Sequence, residues 1–139
     1  MLHPNFPTVE GRYKFTDSWS VFLPEKLNRR LDDGDVVLWK RGFTVYLAAW
    51  DNDKDLPIET LYEETVYGIS SSAYDIEEEI KDGIRYFSYR LIEESSDERV
   101  AAFYGYAVNG NGFIQLAVYI DSEENIDTAR ELLWSLESA

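Results

Sequence analysis

The tetrapeptide Asn109-Gly110-Asn111-Gly112 is the strongest reversal signal in this 139-residue chain. Asn and Gly tolerate the left-handed backbone of a tight hairpin, where most residues are strained. The flanking segments agree with a hairpin. Phe113 to Ile120 places Ile114, Leu116, Val118 and Ile120 on one face, and Phe113, Gln115, Ala117 and Tyr119 on the other. Arg99 to Val108 reads as its partner strand. A chain built round such a turn is committed to antiparallel sheet.

The same grammar extends upstream. Asp82-Gly83 is a hairpin signal between Tyr74–Lys81 and a strand from Ile84 to Glu93, and Ser95 to Glu98 reads as a turn. Together these segments predict a four-stranded meander. Earlier, Asp35–Arg41 and Phe43–Trp50 are strands joined at Arg41-Gly42. In the second, Val45, Leu47 and Ala49 alternate with Thr44, Tyr46 and Ala48. Both sides are largely apolar, which predicts a central strand covered on both faces. Arg12–Thr16 and Ser18–Leu23 are short strands, the second ended by Pro24. Glu25 to Leu31 is ambiguous and allows one helical turn. Met1 to Gly11 reads as an irregular arm, since Pro4 and Pro7 block regular pairing.

Two segments have helical period. Pro57 suits a first turn. Ile58, Leu61, Tyr62, Val66 and Ile69 follow on one side, with Glu59, Glu63 and Glu64 on the other, predicting a helix from Pro57 to about Ser70. Asp121 with Glu124 resembles a capping box. Ile126, Ala129, Leu132, Leu133 and Leu136 then form an apolar stripe, with Arg130 and Glu131 facing outward. No repeat, low-complexity tract or linker divides the chain. The expected fold is α+β, one domain over residues 1–139 with an arm at 1–11. It is a mostly antiparallel sheet with a helix packed on each face.

Charge narrows the partners. The net charge is −14, and the best basic cluster, Lys26, Arg29 and Arg30, is followed at once by Asp32 and Asp33. Nucleic acid and anionic membranes are poor partners for such a chain. A basic polypeptide would be steered toward it. No apolar run approaches the ~20 residues of a membrane span. Met1 to Pro7 does not read as a signal peptide. The absence of cysteine excludes disulfides and Cys-based sites, and fits a cytoplasmic protein.

The residues that usually carry catalysis are scarce. His3 is the only histidine, so a His metal site or a Ser–His–acid triad lacks its partners. Ser70, Ser71 and Ser72 have no nucleophile-elbow pattern around them. Asp51, Asp53 and Asp55 have calcium-loop spacing, but Leu56 stands where Gly is needed and Tyr62 where Glu is needed. Glu77 with Glu79, and Glu93 with Glu94, read as solvated faces rather than acid–base pairs. The Asn109–Gly112 glycines join two strands, so they form no phosphate cradle. No catalytic residue, metal site or cofactor is expected.

Aromatic content is the positive signal: four Trp, ten Tyr and seven Phe. Trp39, Tyr46, Trp50, Tyr86, Tyr89, Tyr104, Tyr106 and Tyr119 either pack beneath the helices or form a binding surface of rigid amphipathic anchors.

Trp19-Ser20-Val21-Phe22-Leu23-Pro24, followed by Asp33-Gly34-Asp35-Val36-Val37-Leu38, resembles the opening of PsbP-like domains. The helix after the early strands, the meander, and a closing helix with Trp134-Ser135-Leu136 extend the likeness over Arg12 to Glu137. The resemblance lies in the order of elements and carries no site motif. It implies an α/β/α sandwich with a non-catalytic scaffolding role.

The expected function is a non-enzymatic protein-interaction module, chaperone-like or immunity-like, that binds a basic or apolar polypeptide. Two alternatives stand beside it: a small-molecule domain with an aromatic-lined pocket, and a hydrolase using carboxylates alone. A homodimer is a further option if one sheet face is bare.

Overall fold

The computed structural model describes residues 2–92 and 101–139. Nine strands form one sheet: β1 Thr8–Lys14, β2 Trp19–Asp32, β3 Asp35–Lys40, β4 Phe43–Asp51, β5 Tyr74–Lys81, β6 Ile84–Leu91, β7 Ala102–Asn109, β8 Gly112–Ile120 and β9 Glu137–Ser138. The order is β1-β2-β3-β4-β8-β7-β6-β5, and β9 pairs with the start of β2. Every pairing is antiparallel. Two helices, α1 Ile58–Val66 and α2 Ile126–Trp134, complete the fold.

The expected α+β sandwich is therefore overturned, and the chain is mostly β. Each helix has nine residues, about 14 Å of length. Eight strands abreast span roughly 34 Å. Neither helix can serve as a layer over that width.

The sheet solves the problem by rolling. Arg12 of β1 donates to the Ser135 carbonyl at 2.8 Å, and Lys81 of β5 donates to the Trp134 carbonyl at 2.7 Å. These strands are the two margins of the sheet, yet they grip neighbouring residues. The sheet must curl until its margins meet over the end of α2. Trp19, Val21 and Leu23 of β2, Tyr86 of β6, and Ala129, Leu132, Leu133 and Leu136 accordingly share one core. We call this the inner face.

α2 packs tightly on the sheet at Gly105 of β7. A Cβ there would lie 2.8 Å from both Leu133 methyls, and Leu133 is fully buried. The lateral position of α2 is set by that missing side chain. Its entry is set by Arg90 of β6. The buried Arg90 guanidinium donates to both Glu123 carboxylate oxygens, at 2.7 and 3.1 Å, and to the Ala101 carbonyl. Ser122, not Asp121, caps the single 3-10 turn Glu123–Asn125 that leads into α2, its hydroxyl accepting from the Glu124 amide.

The hairpins follow the local signals. Asp82-Gly83 and Arg41-Gly42 are two-residue loops, and Asn109 pairs with Gly112 across Gly110-Asn111. Asn109 folds its side-chain oxygen onto the Asn111 and Gly112 amides. At Gly112 a Cβ would collide with the Trp50 carbonyl.

Several expected boundaries move. Pro24 does not end a strand, and Glu25 to Leu31 is not helical, because β2 runs through both. Between Leu23 and Leu27 the pairing with β1 slips, opposite only Val9 to Gly11. Pro24 sits in that exposed bulge, where no ladder bond is asked of it. The arm becomes β1 at Thr8. α1 stops at Val66, short of Ser70. β4 is central but not covered on both faces: Phe43, Val45 and Leu47 are buried, whereas Thr44, Tyr46 and Ala48 are half-buried and Trp50 is exposed. The ends expected at Glu93 and Arg99 and the turn at 95–98 lie outside the described residues.

Two measurements check this frame. Gly105→Val should lose about 1–3 kcal/mol through overpacking against Leu133, read as a lower urea midpoint at unchanged slope. The second concerns pH. Its bonds from Arg90 hold the Glu123 carboxyl below the ordinary glutamate range. Stability from this pair is present above that ordinary value and is lost as pH falls through the depressed one. Glu123 is largely exposed, so solvent screening keeps the effect modest. The wild-type melting temperature should fall more steeply than that of Glu123→Gln between about pH 5 and pH 3, with the two curves converging at the acid end.

Candidate functional site

Strand pleating divides the aromatic set. Residues an odd number apart on one strand face opposite sides. Tyr86 is three residues from Tyr89 and lies on the inner face, fully buried, donating to the Leu136 carbonyl at 2.6 Å. Burial, with help from Glu137 and Asp82, pushes its phenol up to about 12. Tyr86 is a structural tie and leaves the candidate surface.

The other seven belong to the outer face. By register, Val37 and Trp39 of β3, Tyr46, Ala48 and Trp50 of β4, Phe113, Gln115, Ala117 and Tyr119 of β8, Tyr104 and Tyr106 of β7, and Tyr89 of β6 share that side. Four tyrosines form a continuous row across three strand boundaries. Ring centroids are 5.8 Å apart for Tyr46 and Tyr119, 6.3 Å for Tyr119 and Tyr104, and 5.3 Å for Tyr104 and Tyr89. Trp50 stacks on Phe113 at 5.0 Å and stays 46% exposed. Tyr106 takes a bond from Gln115 and shares another with Tyr89; burial raises its proton affinity.

Each end of this face has a cover. α1 sits on β6 to β8, burying Leu61 and Tyr62 against Phe87, Tyr89 and Val108. The opposite end is covered by the N-terminal segment. Buried Asn28 accepts from the His3 amide at 2.7 Å and donates to the His3 and Phe6 carbonyls. Phe6 then packs edge-on to Trp39 at 4.8 Å, and Arg30 lies over the same indole at 4.6 Å. Trp39 is thus half-covered by the arm. Between arm and α1 the outer face of β4 and β8 carries Tyr46, Ala48 and Ala117, half-buried, and Tyr119, exposed.

Beyond α1 the outer face reaches the sheet margin at β5. Tyr62 donates to Glu78 at 2.7 Å, and Arg85 lies over the Tyr62 ring at 4.2 Å. Burial and the Glu78 bond both hold the Tyr62 proton firmly. These groups, with Glu79 and Ile80, line a shallow cavity of about 350 Å³. Glu77 accepts from Arg130, as does Asp75. Glu77 is therefore tied into an ion-pair cluster rather than set against Glu79. Glu93 and Glu94 lie outside the described residues.

His3 and the Asp51–Asp55 loop take part in local hydrogen bonds. His3 Nδ1 accepts from the Asn5 amide within the arm. The Asp51–Asp55 loop is organised by Asn52, whose side chain bonds both backbone groups of Leu56 and the Gly110 carbonyl. Among the described residues no group of three acidic or histidine side chains is placed to hold a metal ion, and no helix is long and apolar enough to cross a membrane. No protein-family model matches the chain, and no curated protein matches it significantly.

Sequence reasoning missed Asn28, Phe6, Phe113 and Gln115. Phe113 and Gln115 were legible as outer-face residues of one strand, but their partners Trp50 and Tyr106 come from other strands.

Asn28→Ala should release the arm. Its loss should cost about 1–3 kcal/mol, the price of removing bonds to buried backbone groups, and should speed amide exchange at His3. Unchanged exchange there would show that Asn28 does not hold the segment.

Proposed function

We propose that this protein is a polypeptide-binding module whose outer sheet face receives a partner carrying basic and apolar residues. One observation carries the reading: Tyr46 and Tyr119 stand partly exposed on the outer face between α1 and the arm, continued by Tyr104 at the rim of the α1 cluster, with Trp50 exposed on the same face. Tyr and Trp bring large contact area at low entropic cost, which is what interface anchors need. The charge of −14 selects a partner of opposite sign. The aromatic residues lie on an open sheet face rather than round a closed cavity between sheet and helix, which suits a chain segment better than a small molecule.

A random peptide library presented to the immobilised protein should enrich sequences combining Lys or Arg with aromatic or large aliphatic residues. The double variant Tyr46→Ala, Tyr119→Ala should bind an enriched peptide at least about thirty-fold more weakly. The Tyr→Phe pair should retain most of the affinity. Enrichment of acidic sequences, or equal binding by the alanine variant, would remove the proposal.

A further inference from the structure

The sheet has two margins, and they are finished differently. β1 alternates exposed Thr8, Glu10, Arg12 and Lys14 with partly covered residues, and Arg12 is committed to Ser135 and Glu137. β5 is exposed along all eight residues. It pairs with β6 on one side, and among the described residues no strand pairs with its other side. Backbone amides and carbonyls therefore remain available along that edge.

Its side chains are also unlike those of β1. Tyr74, Ile76 and Ile80 are 43%, 52% and 65% exposed, with Tyr67, which ends α1, and Ile92, which follows β6, exposed as well. Together they are half of the large apolar side chains that the described chain exposes. Glu77, Glu78 and Glu79 interrupt them. Asp75, at φ 55°, sits in a bulge that opposes an extra residue to β6 between Tyr74 and Glu77. From Glu77 to Lys81 the ladder is regular, a template of about 17 Å.

We infer that the outer edge of β5, over Glu77–Lys81, is a strand-addition site for an extended basic segment that alternates Lys or Arg with aliphatic residues. This rests on the reading above that the partner is a basic polypeptide, and adds how its backbone is held. Main-chain bonds to a sheet edge supply affinity, and alternate side chains supply selectivity. On the inner side the incoming strand would run beside Glu77 and Glu79. On the outer side it would meet Glu78, Ile80 and the cavity bounded by Tyr62 and Arg85. A second copy of this chain is the wrong occupant. Pairing β5 with itself would set three glutamates against three more, and like charges directly opposite repel. The same glutamates that forbid self-pairing favour a basic strand.

The test uses the whole protein and an acetylated, amidated heptapeptide alternating lysine with valine. Two further peptides carry N-methyl groups on alternate residues, one in each phase. N-methylation keeps charge and apolar surface but removes the donors that would pair with β5. At least one phase should bind about tenfold or more weakly, from the loss of two or three backbone bonds. Amide exchange should slow across Glu77–Lys81 when the parent peptide is bound. Glu79→Lys should weaken binding, and adding salt should narrow the difference. Equal binding by both methylated peptides overturns the inference. So does protection confined to β4 and β8, an outcome that leaves the polypeptide-binding proposal standing. Failure of all three peptides to bind, with library peptides still held by Tyr46 and Tyr119, overturns the edge site alone.

Discussion

Three consecutive carbonyls at the end of α2 hold the two sides of the sheet together. A helix leaves its last carbonyls without internal partners. Here Trp134, Ser135 and Leu136 receive Lys81, Arg12 and Tyr86, from β5, β1 and β6. Two of the three donors are cations, which the helix dipole favours at that end. β9 adds a short pairing with β2, and Asn109 of β7 donates to Ser138. Without these ties an eight-strand ribbon would have no reason to close, and the inner core would open along one side.

Rolling round α2 uses up the inner face and decides what is left outside. The inner core is mainly aliphatic, with Trp19, Phe43, Tyr86 and Phe103 set among the Leu, Ile and Val side chains and Gly105 making room for Leu133. The outer face is aromatic and, among the described residues, has two partial covers, one from α1 and one from the arm that Asn28 holds. The uncovered stretch between them is a consequence of helix length. Nine residues of α1 pack on β6, β7 and the start of β8, at a distance from the Tyr46–Tyr119 pair. The polypeptide-binding reading depends on that gap.

Local signals were legible and distant ones were not. Asp82-Gly83 and Arg41-Gly42 announced their turns because each places a residue at the positive φ that few residues adopt. Asn109–Gly112 announced its own through Asn109, whose side chain accepts from the Asn111 and Gly112 amides, although neither Gly110 nor Asn111 sits at positive φ. Asp33-Gly34 has the same chemistry, with both residues at positive φ, but the ambiguous Glu25–Leu31 stretch hid the strand leading into it. Pro24 looked like a terminator because a bulge cannot be read without knowing its partner strand. The pairing of β4 with β8 spans more than sixty residues of chain and left no local mark. That pairing builds the tyrosine row. Parity along β6 would have separated Tyr86 from Tyr89 in advance. The helices were found in the right places, but their layering was inferred from their existence rather than from their length.

The bond from Arg12 to Ser135 joins residues 123 positions apart. Contacts of that range must await the loss of a great deal of chain entropy before they return any energy. The meander from β5 to β8 can form early, from neighbours in sequence. Closure of the roll cannot, because it requires both ends of the chain at once. A molecule so arranged gains its final cooperativity in one late step, and a nascent chain still lacking α2 would present its inner aliphatic face to water.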